Sequence, residues 1–134
     1  MPRLHVLAVA ARLPAWAEAA CADYARRMPK GYEVARIAAK PGRLRIALPK
    51  GARVVALDER GRDLTTVEFA GLLGAETAFV IGGPDGLPED FKAGADALVR
   101  LSSLTLAHAL AQVVLLEQLY RAATLRTGHP YHRA

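Results

Sequence analysis

Four short runs along the chain are mainly apolar, broken only by His5 and Arg100: Leu4–Ala10, Val54–Leu57, Ala78–Ile81 and Ala97–Leu101. Strands of this kind are covered on both faces, as in parallel sheets. Tyr32–Ala38 adds an alternating, strand-like stretch,. Helical spacing fills the gaps between them. Pro14 opens one helix in which Trp16, Ala20, Tyr24 and Met28 fall near one face, and Pro29-Lys30-Gly31 stops it,. Thr65 and Glu68 have capping-box spacing at the start of a helix to Leu73, with Gly74 as its terminal glycine,. A short helix from Pro88 to about Gly94 precedes the last strand, and Ala107–Arg126 is the longest helical pattern. Residues 39–52 read as a basic loop with a short extended piece at Leu44–Leu48,. Strands alternating with helices predict one α/β domain over residues 1–134, a mostly parallel sheet with helices on both faces.

Composition narrows this only a little. With 134 residues, 52% hydrophobic and 23% charged, the chain is an ordinary globular domain,. No apolar run reaches the length that spans a bilayer, and the opening residues lack a cleavage pattern, so a cytoplasmic protein without membrane partners is expected. The single cysteine, Cys21, cannot form an internal bridge and reads as a small core residue,. Charge says more. Residues 1–62 hold 13 of the 18 Lys and Arg but 5 of the 13 Asp and Glu, a net +8 against −3 for the remainder. The basic stretch Arg36–Arg62 suits a polyanion, and equally a solvated surface.

Ligands of open α/β sheets bind beyond the carboxyl ends of the strands. Three such ends carry unusual residues here: Leu57-Asp58, Ile81-Gly82-Gly83 and Leu101-Ser102-Ser103. Gly82-Gly83-Pro84-Asp85-Gly86 matches neither the dinucleotide fingerprint nor the phosphate loop, and reads as a tight turn or a close backbone approach to a ligand,. Ser102-Ser103-Leu104-Thr105 stands before the long helix, where hydroxyls cap. His108 begins that helix in a structural or a catalytic role. The tail His129-Pro130-Tyr131-His132-Arg133 gathers two imidazoles, a phenol and a guanidinium. It reads as a frayed end or as a segment folded over a site. A metal site is not expected, because no third ligand has matching spacing.

Taken together, Ile81-Gly82-Gly83-Pro84-Asp85-Gly86, Leu101-Ser102-x-Leu104-Thr105-Leu106-x-His108, Glu117-Gln118-Leu119-Tyr120-Arg121-Ala122 and His129-Pro130-Tyr131-His132-Arg133 resemble, in the same order, the RlmH family. These are the bacterial large-subunit ribosomal RNA pseudouridine N3-methyltransferases of the SPOUT superfamily. The first strand, Pro14-x-Trp16 and Tyr24-x-Arg26-Arg27 extend the likeness over nearly the whole chain.

The resemblance implies a C-terminal trefoil knot, a homodimer, and S-adenosylmethionine as methyl donor without metal. Its pocket would be lined by Leu57, Gly83, Ser102, Ser103, Leu104, Thr105, Leu106 and Ala107. The substrate would be 23S ribosomal RNA, free or in the ribosome. The tail would complete the site near the partner's cofactor, with Tyr131 or His132 as base or orienting group and Arg133 as a clamp on phosphate or a base oxygen. The chain also departs from the family. It is shorter between Ala38 and Val54, and it carries Ala107, Ala109 and Gln112 where two prolines and an arginine are common. Those departures keep open an alternative, a SPOUT-fold ribosome- or RNA-binding protein that has lost catalysis.

Overall fold

The computed structural model describes residues 3–9 and 12–132. Five strands, β1 (Leu4–Val9), β2 (Val34–Ala39), β3 (Arg53–Asp63), β4 (Thr77–Ile81) and β5 (Ala97–Arg100), form one sheet in the order β2-β1-β4-β3-β5. Every pairing is parallel. The helices are α1 (Ala15–Arg26), α2 (Leu44–Ala47), α3 (Thr66–Gly71), α4 (Glu89–Ala93) and α5 (His108–Thr127).

The period-two alternation of side chains divides the sheet into two cores. On one face Leu4, Val6, Val55, Leu57, Phe79 and Val99 pack against α1, α3 and α5, where Cys21, Phe69, Leu115, Leu116 and Leu119 are buried. On the other, Leu7, Ala56, Ala78 and Val80 meet Leu44 of α2 and Phe91 of α4. The mainly apolar runs therefore reflect two-sided cover, as their pattern predicts.

Local chemistry sets the element boundaries. The Thr65 hydroxyl accepts from the Glu68 N–H at 3.1 Å while the Glu68 carboxylate accepts from the Thr65 N–H at 2.8 Å. Both orphan amides of that helix start are thereby satisfied. Gly128, at φ 77°, ends α5 in the left-handed region and turns the chain back, so that the His129 N–H reaches the Thr124 carbonyl at 2.9 Å,.

Three readings of the sequence are corrected. Leu44–Ala47 is helical rather than extended, because Leu44 anchors one turn in the second core and leaves Ile46 outside. Trp16 is 57% exposed, whereas Tyr24 and Met28 of the same stripe pack against the core beside the buried Ala17 and Cys21. Gly74 closes a short 3₁₀ turn and is not left-handed.

β3 is also longer than its apolar run. It leaves register with β5 after Leu57↔Val99 and re-enters at Arg62↔Val99, so residues 58–61 arch out of the sheet. A Cβ on Gly61 would lie 2.5 Å from the Val99 carbonyl carbon, so the arch closes only with glycine,.

Candidate cofactor pocket and C-terminal tail

The chain steps from β3 inward to β4, then crosses back over β3 to the edge strand β5. The connections leaving β3, β4 and β5 diverge there, at the carboxyl edge of the sheet. A cavity of about 150 Å³ lies at this point, lined by Leu57, Asp58, Glu59, Ile81, Arg100, Leu101, Ser102, Leu104, Thr105, Leu106 and Ala111. Five of the eight residues expected for a cofactor, Leu57, Ser102, Leu104, Thr105 and Leu106, meet in its wall. Ser103 and Ala107 belong to the same loop but do not line the cavity, and both are exposed.

Gly83 stands aside as well. It forms a bridge with Gly86, whose N–H donates to the Gly83 carbonyl at 2.9 Å, and a Cβ on it would touch Val9 at an ordinary 3.4 Å. The constrained glycine is its neighbour: a Cβ on Gly82 would lie 2.6 Å from the Gly86 carbonyl carbon. The glycine loop is thus a tight turn whose closest approach is to itself.

The pocket has three charged residues in its rim. Asp58 accepts from the Arg60 N–H at 3.0 Å and from Lys92 Nζ at 3.2 Å. Lys92 also pairs with Glu89 at 3.0 Å, and hydrogen bonds to Glu89 and Asp58 raise its pKa. Arg100 grips Asp63 through Nε at 2.7 Å and a second, Nη2 contact, which holds the Asp63 carboxyl below its ordinary value. Glu59 is exposed and has no partner among the described residues. Neither Asp58 nor Glu59 is among the residues the family likeness assigns, and the only sequence signal for them was a strand run ending on an acid.

A wider cavity, about 780 Å³, opens between α1 and the β1–β2 edge. It is lined by Val6, Ala8, Arg36 and Gln112 among others, and contains no residue of the motif loops. Size alone would favour it as the ligand site. The smaller cavity is the better candidate because the three diverging strand ends converge on it. The two are linked by α5, whose buried Gln112 bonds His108 with 3.0 Å between Nε2 atoms.

The tail is ordered along α5. The Tyr131 hydroxyl donates to Glu117 Oε2 at 3.0 Å, its ring meets Tyr120 edge-on at 4.6 Å, and the Arg121 guanidinium lies 4.7 Å over the same ring. Burial, and then the bond to Glu117, push the Tyr131 pKa up to about 12. Arg121 Nη1 donates to His132 Nδ1 at 3.3 Å, leaving Nε2 to carry the proton of a neutral ring,. Arg133 lies outside the described residues. Tyr131 and His132 are brought together with Glu117 and Arg121, but not with the cofactor pocket of the same chain, whose last wall residue is Ala111. Six residues of helix, about 9 Å of rise, separate Ala111 from Glu117.

Among the described residues there is no cluster of three metal-ligating side chains, and no helix is long and apolar enough to cross a membrane.

Comparisons with known proteins agree with this architecture. The chain is 46% identical to ribosomal RNA large subunit methyltransferase H of Paraburkholderia xenovorans, over 98% of this chain and 99% of that one. It is also 46% identical to the protein of the same name from Albidiferax ferrireducens, at the same coverage. The first alignment runs over 154 positions, so that relative carries additional sequence. Among solved structures, the Aquifex aeolicus TrmH/SpoU tRNA modifying enzyme superposes with TM-score 0.59 at 13% identity, over 96% of this chain and 79% of that one. The SpoU methyltransferase AviRb from Streptomyces viridochromogenes, in complex with AdoMet, gives TM-score 0.54 at 16% identity over 92% and 57%. These two show the fold. The family described as "Predicted SPOUT methyltransferase" matches residues 2–132, and the chain belongs to it.

Proposed function

We propose that this protein transfers a methyl group from S-adenosylmethionine to N3 of a pseudouridine in 23S ribosomal RNA, in the cytoplasm and as a homodimer. The observation that carries the reading is the pocket at the carboxyl ends of β3, β4 and β5, in a chain 46% identical over its length to named large-subunit methyltransferases.

The pocket's residues fit such a donor. Leu57, Ile81, Leu104, Leu106 and Ala111 supply apolar walls for a planar heterocycle,. The loop 102–106 is irregular, and the Ser102 hydroxyl, which accepts from the Leu104 N–H at 2.9 Å, braces its turn at the cavity wall. The enclosed volume is small for a whole cofactor, so its amino-acid end would extend over the open rim. When bound, the donor supplies an electrophilic sulfonium methyl, and the chain's own task is to hold the acceptor nitrogen in line with it.

The tail supplies the polar groups for that task. A phenol with a raised pKa keeps its proton, here donated to Glu117, so Tyr131 is an orienting group, whereas His132 takes the imide proton at Nδ1 once Arg121 no longer donates to that nitrogen,. Arg133 then contacts phosphate or a base oxygen. Because each tail lies away from its own pocket, a second copy would bring its tail to the site. Trp16, Leu104 and Leu110, at the starts of α1 and α5 and in the loop between β5 and α5, are large and exposed near the carboxyl edge, where a subunit contact would cover them,. The knot implied by the family would involve the loops around the pocket.

Mass spectrometry of ribosomal RNA from a strain lacking the gene tests the proposal. Loss of one methyl group from a pseudouridine, restored by this chain but not by a His132→Ala variant, is expected. An unchanged modification profile would exclude it, and would favour a SPOUT-fold RNA-binding protein without activity.

A further inference from the structure

The Asp58–Gly61 arch places a charge beside the pocket that the motif residues do not account for. Its shape is fixed at three points. Asp58 Oδ2 holds the Arg60 N–H at 3.0 Å, Asp58 Oδ1 is tied to Lys92 at 3.2 Å, and Gly61 lies against the Val99 backbone, where a side chain would collide. Glu59 therefore sits on a braced crest, in the pocket wall rather than on a free loop.

The charges around the cavity do not cancel. Asp58 is paired with Lys92, a cation it shares with Glu89, and Arg100 with Asp63. Glu59 forms no ion pair with any described residue and is the one uncompensated charge of the wall among them. The rest of the enclosed surface is largely aliphatic. Moving a cation from water against such a surface is unfavourable unless an anion faces it.

On the reading that this is the donor pocket, we propose that Glu59 is a specificity-determining residue that senses the donor's positive charge and so favours the cationic sulfonium over the neutral thioether product. Methyl transfer removes that charge: the carbon–sulfur bond breaks with its electron pair left on sulfur, and the acceptor nitrogen forms the new bond. The attraction ends with the reaction. Glu59 thus holds the donor more firmly than the spent cofactor and lets the product leave. The ammonium and carboxylate of the methionine end are common to both ligands, so a carboxylate that merely bound the ammonium would act on both alike.

Titration calorimetry of the full chain with S-adenosylmethionine and with S-adenosylhomocysteine, at low ionic strength, tests the assignment. Glu59→Gln is expected to weaken binding of the donor about two- to five-fold, the range of a partly exposed ion pair, and to leave the product's affinity unchanged. Glu59→Lys should widen the loss for the donor alone, and added salt should narrow the wild-type difference. Circular dichroism checks that each variant is folded. Equal changes for both ligands, no change for either, or a change confined to the product overturns the role of Glu59. Failure of the wild type to bind either ligand would instead overturn the donor pocket itself, so the two failures are separable.

Discussion

Tyr131 has its phenol tied to a carboxylate, its ring between a second tyrosine and a guanidinium, and a pKa pushed up to about 12. Raised from an unfolded value near 10, this group binds its proton more tightly in the folded chain. Its contribution to stability is therefore complete below about pH 10 and is lost as pH rises through about 12. A spectrophotometric titration of tyrosinate absorbance should show one ring ionising late, and that late step should vanish in Tyr131→Phe. A Tyr131 that ionises together with the other tyrosines would contradict the docked tail. The tail was visible in the sequence as a concentration of unusual groups, but its partners were not. Glu117 and Arg121 read as a simple helix-surface pair at i, i+4, and the pair exists at 2.9 Å. Nothing in that spacing shows that the chain would turn at Gly128 and lay Tyr131 and His132 upon it.

At the level of elements, the best-read feature was the start of α3. Its reciprocal cap predicts that Thr65→Ala destabilises the protein by about 1 kcal/mol, measurable as a shift in the urea midpoint with unchanged slope. No shift would mean that water satisfies the exposed amides equally well. The buried strands were legible because two-sided cover imposes a mainly apolar run, and the long helix because its pattern extends over 20 residues. The short elements were not. Four residues at Leu44–Ala47 have too little length for a period to emerge, and they are helical because Leu44 finds the second core. The arch after Leu57 was hidden for a different reason. A strand that leaves its register and returns is defined by its neighbour, here Val99, and no property of residues 58–61 alone reveals the partner. In the pocket, Leu57, Ser102, Leu104, Thr105 and Leu106 came from the family likeness and Asp58 from its strand end, while Glu59, Arg100 and Ala111 came only from the folded arrangement.

For the molecule as a whole, the proposed composite site makes a requirement on assembly, since tail and pocket are separate within one chain. Mixing a chain altered in its tail, Tyr131→Ala with His132→Ala, with a chain whose pocket is blocked by Leu104→Arg should restore methylation that neither has alone. In a mixed dimer one intact pocket faces one intact tail. Sedimentation should show that both variants still associate. Absence of recovery from a mixture proven to exchange subunits would show that each chain acts by itself.

The two faces of the sheet are covered very unequally. One carries a helix of 20 residues and most of the large side chains, and the other is closed by helices of four and five residues. α2 lies wholly in the connection between β2 and β3, where none of its residues lines the pocket, and its Arg45 reaches Asp90 of α4. On that thinner side, trimming the connection between β2 and β3 would alter the lid of a secondary core and spare the proposed donor pocket, whereas α4 holds the Lys92 that braces Asp58 and could not be lost so freely.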